Sequence, residues 1–125
     1  MTLIAAGSVF QNSGALFLAR VRSSSGSYVT QATLSTITCR VSNMTTGVAV
    51  TVISPTITIS TSVFDALQTD AYWTQDTTGY NFKHAMPATA FPTANNVYRV
   101  EYKFTPTSGA VFYVEFQVTA LETLT

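Results

Sequence analysis

Charge is what this chain has least of. Asp, Glu, Lys and Arg make up 10% of its 125 residues, against about a quarter in ordinary soluble domains. The formal net charge is zero. The basic residues are scattered, and Arg20 with Arg22 on one strand face is not a basic stripe, so nucleic acid is not an expected partner. Cysteine and histidine occur once each. A lone Cys39 excludes an internal disulfide; alternating with Ile37 and Val41, it reads as a small buried hydrophobe. No apolar run approaches the ~18 residues of a membrane span. The segment MTLIAAGSVFQNSG has no basic start, and Gln11 and Asn12 interrupt it, so no secretory signal is expected. Without that route the triplet Asn43-Met44-Thr45 is not read as a glycosylation site.

The missing charge has a consequence for the surface. Free monomers keep surface charge for solubility; here Thr and Ser stand in its place. Either hydroxyls cover the surface or much of it lies against other subunits. The depletion of charge seen at interface cores favours the second.

What is present is alternation. In YRVEYKFTPTSGAVFYVEFQV, Tyr98, Val100, Tyr102 and Phe104 share one parity and Arg99, Glu101 and Lys103 the other. After a Pro/Gly turn, Phe112, Val114, Phe116 and Val118 alternate with Tyr113, Glu115 and Gln117. Side chains on a strand alternate faces, so this is a hairpin with a dry and a wet face. Opposing Glu101 to Glu115 is unfavourable, which predicts Phe104 opposite Ala110, Arg99 opposite Glu115 and a loop over 105–109.

Further strands are expected over 14–22, 32–41, 48–53, 56–60 and 80–86, with an extended piece starting at Tyr72-Trp73 and turns at 43–47 and 76–79. Ser62 with Asp65 three residues on resembles a capping box and predicts one helical turn over 62–67. Short strands with turns about every ten residues imply an all-β protein. The expected fold is an immunoglobulin-like antiparallel β-sandwich with under about 10% helix, formed as a single domain over 1–125 with no repeat or linker. Trp73 is expected between the sheets.

Catalysis finds little to work with. His84 is the one base in the usual range, and its parity with Tyr80 and Phe82 makes it a packed or hydrogen-bonded strand residue. Cys39 as a nucleophile needs an exposed electropositive setting that its neighbours deny. Asp65, Asp70 and Asp76 match no calcium loop; capping and turn hydrogen bonds explain Asp65 and Asp76. Tyr72, Trp73, Tyr80, Phe82 and Phe91 form either core or a sugar-stacking platform, and their alternation favours core. The chain is expected to be no enzyme, with no cofactor and no catalytic, cofactor-binding or metal-binding residues.

The run VFDALQTDAYWTQDTTGYNFKHAMP, with the later FP, YRVEYKFTPTSG and VFYVEFQVT, resembles small structural proteins of tailed-phage virions. The resemblance covers Val63 to Thr119, through Leu67-Gln68-Thr69-Asp70, Trp73, Gly79-Tyr80-Asn81-Phe82 and the final hairpin. It implies a virion component with an immunoglobulin-like fold, of the capsid decoration or cement type, that stabilises the shell by protein–protein contacts. Its expected partners are the major capsid protein or other virion subunits, or copies of itself, with no nucleic acid and no membrane. Its place is the virion, foremost the capsid exterior, after assembly in the host cytoplasm. The alternatives are a tail, neck or baseplate accessory, or an outward-facing glycan-binding or adhesive module.

Overall fold

In the computed structural model, residues 2–50 and 56–124 are described, with side chains from residue 6. Among the described residues, nine strands run in chain order: β1 (Thr2–Phe10), β2 (Ala15–Ala19), β3 (Leu34–Asn43), β4 (Val48–Val50), β5 (Thr56–Ile57), β6 (Val63–Gln68), β7 (Tyr80–Met86), β8 (Val97–Pro106) and β9 (Phe112–Leu121). One sheet has the order β1-β9-β8-β3-β4, with β5 also on β3; the other has the order β2-β7-β6. The two pack as a sandwich with 53% strand and 9% helix.

Strand order carries the fold. β8 lies between β3 and β9, and β7 between β2 and β6, which is the Greek-key connectivity of an immunoglobulin-type sandwich. At the start of β8, the Tyr98 hydroxyl accepts a hydrogen bond from Thr93 N at 3.0 Å, the tyrosine corner common in such sandwiches. No disulfide joins the sheets; aromatic packing does. Phe17 of β2 meets Phe116 of β9 at 4.7 Å, and Phe82 of β7 meets Tyr102 at 4.9 Å and Phe104 at 5.3 Å, both on β8. Such pairs add about 0.5–1.5 kcal/mol each beyond area burial.

The expected faces hold along the hairpin and β3. Tyr98, Val100, Tyr102 and Phe104 are buried, as are Ile37, Cys39 and Val41. Three readings are corrected. First, residues 63–68 are strand, not helix; the α-helical turn α1 is Ile59–Ser62, and further helical turns of the 3₁₀ type occur at Gln31–Thr33 and Ala88–Ala90. Asp65 caps nothing local: its Oδ1 accepts from Gln31 N at 2.7 Å, a long-range bond that the local Ser/Asp spacing does not reveal.

Second, the hairpin register pairs Phe104 with Phe112 and Glu101 with Glu115. Arg99 removes the penalty of the facing carboxylates: its Nη2 is 3.0 Å from Glu101 and its Nε 2.5 Å from Glu115. The Nε–H does not aim along the second contact, so the attraction there is between charges rather than an aligned hydrogen bond. The register also stacks the rings of Phe104 and Phe112 at 5.2 Å. Glu115, expected on the wet face, is only 5% exposed. Third, 72–73 is not extended; it belongs to the loop joining β6 to β7, and Trp73 is half-buried there rather than between the sheets. The sheets are mainly antiparallel, as expected, with β1 pairing parallel with β9. Within the strand expected over 48–53, positions 51–53 lie outside the described residues.

Candidate functional site

Where β1 and β2 form neighbouring borders of the two sheets, the sandwich opens into a cleft of about 820 Å³. Ala6–Val9 of β1 and the edge of β2 form its walls, Phe17, Phe116 and Val118 belong to its apolar lining, and Tyr72–Gln75 of the β6–β7 loop also line it.

Two carboxylates fold that loop. Asp70 Oδ1 accepts from Tyr72 N at 3.0 Å, and its Oδ2 accepts from the Tyr80 hydroxyl. Asp76 Oδ1 accepts from Trp73 Nε1 at 3.0 Å, Thr78 N at 3.0 Å and Gly79 N at 3.1 Å, while Oδ2 accepts from Arg20 Nη1 at 2.7 Å. Short polar side chains that bond the backbone two or three residues on are turn-formers, so sequence places both turns. Only the fold brings in Arg20, from the end of β2. Gly79 completes the loop at φ +103°, and a Cβ there would lie 2.4 Å from Gln68 O, so no other residue fits.

The electrostatics follow. Hydrogen bonds from Trp73 and Arg20 hold the Asp76 carboxyl well below the usual carboxylate range. The Tyr80 hydroxyl lowers Asp70 in the same sense. Burial, with Asp70 beside it, pushes Tyr80 up to about 12. Both carboxylates stay ionised at neutral pH and act as acceptors.

The remaining candidates are dispersed. His84 Nδ1 is 2.8 Å from the Tyr102 hydroxyl, and burial lowers its pKa; it is a hydrogen-bonded strand histidine. Cys39 is buried, with its thiol pushed up to about 12 by desolvation, the opposite of an activated nucleophile. Among the described residues, no group of three or more His, Cys, Asp and Glu is placed to hold a metal ion. Of the five aromatics weighed as a platform, Tyr80, Phe82 and Phe91 are core, and only Tyr72 and Trp73 reach the cleft. Sequence reasoning missed Arg20 as the partner of Asp76, because the two lie 56 residues apart. Among the described residues, no helix is long and apolar enough to cross a membrane. No family model, curated protein or solved structure matches the chain.

Proposed function

We propose that this chain is a non-enzymatic structural protein of a phage virion that works by assembly, foremost as a decoration or cement protein on the capsid exterior. One observation carries the reading: among the described residues, the bordering strands β1 and β4 of the larger sheet carry no charge and no proline. β1 is nine residues long, TLIAAGSVF, with no charge and no proline. β4 at the other border is VAV, with Val48 63% exposed. Free proteins blunt such edges with lysine, proline or bulges, because unpaired N–H and C=O groups recruit strands from other chains. Phe10 and Leu121, paired in register at one end, are exposed apolar side chains on the same border. The resemblance of Val63–Thr119 to tailed-phage structural proteins supplies the setting. Repeated copies in a symmetric shell would cover both borders.

The mechanism is added contact area between shell subunits, on the order of 1,000 Å² or more. Its centre is apolar and hydroxyl-rich, so binding depends weakly on salt, which screens charges and leaves apolar burial intact. The test strips particles of this protein and re-adds it over a salt series, beside a Ser8→Lys variant. Ser8 is exposed on β1, so the variant folds but carries a guarding charge. The wild type should rebind at every salt concentration and the variant should not. Absence of wild-type binding to any virion part, or equal binding of the variant, defeats the proposal. Rebinding to tails alone moves the site from capsid to tail.

A further inference from the structure

The cleft between β1 and β2 has a feature that assembly through sheet edges does not use: two aromatic side chains at its rim, the Trp73 ring held by Asp76 and Tyr80 and Tyr72 exposed beside it. We infer that it is a binding site for a short, uncharged oligosaccharide. The inference stands independently of the virion setting.

Size is the first argument. About 820 Å³ falls in the range of ligand pockets, roughly 300–1,000 Å³, and leaves room for a short chain of sugar rings. Charge is the second. Among the described residues lining the cleft, the charged ones are Arg20 and Glu115. Each has an ion partner in the chain, Arg20 with Asp76 at 2.7 Å and Glu115 with Arg99 at 2.5 Å. A phosphate, a carboxylate or a metal ion would find no free countercharge. What remains is an apolar floor and uncharged polar groups, among them Ser8, Thr74, Gln75 and Gln117.

The third argument is the rim. Tyr72 is 71% exposed, yet its backbone N–H is tied to Asp70. Trp73 is held by Asp76 through its indole N–H and rests on the Tyr80 ring at 5.7 Å between centroids. A ring fixed before the ligand arrives, as Trp73 is, loses little entropy on binding. A pyranose offers a C–H face to such a ring and hydroxyls to side-chain amides. Its mixed character matches a surface with an apolar body and polar tips. A peptide strand is the competing occupant. It would add to the free border of β2 through backbone groups along Ala15–Ala19 and would not depend on the rings.

Trp73 is the sole tryptophan, so its emission reports on the site. The experiment titrates the full chain with maltotetraose, cellotetraose, mannotetraose and triacetylchitotriose up to about 20 mM, a range that captures millimolar affinities. At least one should shift Trp73 emission and move the backbone amide signals of Gly7 and Ala15, but not those of Gly47 and Gly109. Tyr72→Ala, a surface truncation that leaves the fold intact, should weaken that binding by about tenfold or more, as for an anchoring aromatic. No response to any of the four sugars overturns the inference. So does full affinity in Tyr72→Ala, or a response at Gly47 and Gly109 in place of the cleft. Tyr72→Ala should still coat particles, so failure of this site and failure of the assembly reading remain distinguishable.

Discussion

Replacing Asn81 by leucine tests how β7 is tied to the chain where β2 ends. Asn81 is only 1% exposed. Its Oδ1 accepts from Val21 N at 2.7 Å, and its Nδ2 donates to Val21 O at 3.0 Å and to Val29 O at 3.4 Å. The side chain thus continues the ladder past Ala19, where backbone pairing with β7 stops. Leucine has the same branching and adds no cavity, so the change isolates the polar terms. The Val21 N–H would be buried without this acceptor, at a cost of about 1–3 kcal/mol. Val21 O keeps a bond from Val29 N at 3.2 Å, so losing Nδ2 costs less, about 0.5–1 kcal/mol. The expected total is about 1.5–4 kcal/mol. Urea unfolding should show the midpoint falling by about 1–3 M with an unchanged slope. Asn81→Asp adds a second arm. At neutral pH the new carboxylate faces two carbonyls, so its folded pKa must lie above its unfolded value. The protonated form can donate again, so the variant is relatively strongest below the unfolded pKa and weakens as pH rises through the folded one. A loss under about 0.5 kcal/mol in Asn81→Leu, with the same slope, would show that these bonds add nothing net over water, and the reasoning would fail.

Two further perturbations act on charge. Arg99→Ala leaves buried Glu115 opposite Glu101 with no cation between them; because Arg99 is itself partly exposed, the loss should be about 2–4 kcal/mol, below that of a fully buried pair. Adding Glu115→Gln should restore more than half of it in urea titrations, and no restoration would mean Arg99 acts by packing. Asp76 has a folded pKa depressed by Trp73 and Arg20, so its contribution is complete above the unfolded carboxyl value and lost as pH falls through the folded one. Trp73 emission should therefore hold steady down to about pH 4, the ordinary carboxyl value, and change only in stronger acid, while Asp76→Asn should show altered emission throughout. Equal traces for the two proteins would detach the loop from Asp76.

Strand parity was legible because burial on one face imposes it residue by residue, as for Tyr98 to Phe104. Register was not. The penalty for Glu101 opposite Glu115 assumes that Arg99 serves Glu115 only from directly across, yet Arg99, paired with Gln117, reaches Glu115 diagonally and Glu101 along its own strand. The stretch from Ser62 misled for a similar reason. Its Ser/Asp spacing signals a local cap, but Asp65 is engaged by Gln31 from another part of the chain. β1 carries no polar alternation to announce it; it exists through parallel pairing with β9 at the far end of the sequence. For the cleft, both aspartate turns could be read locally, whereas Arg20 and the opening between β1 and β2 are products of sheet order. Trp73 shows the limit of analogy: a tryptophan between sheets is common in such sandwiches, but here Phe17, Phe82, Phe116 and Tyr102 occupy that space.

The placement of the few charges sharpens the assembly argument beyond their number. Three of the four arginines bind their own chain. Arg20 holds Asp76, Arg99 holds Glu101 and Glu115, and Arg22 lies 4.3 Å over the Tyr28 ring and donates to its hydroxyl at 2.9 Å. Cations committed to carboxylates and rings within the fold supply little repulsion between molecules, and such repulsion is what keeps a free protein apart from its copies. None of these arginines stands on β1 or β4, where a single lysine would guard an edge. These three arginines therefore stabilise loops and one hairpin, while the bordering strands β1 and β4 carry no charge. For a protein that worked alone this would be a liability at every concentration. For one whose borders are covered on a particle it removes the desolvation cost that edge charges would impose on assembly.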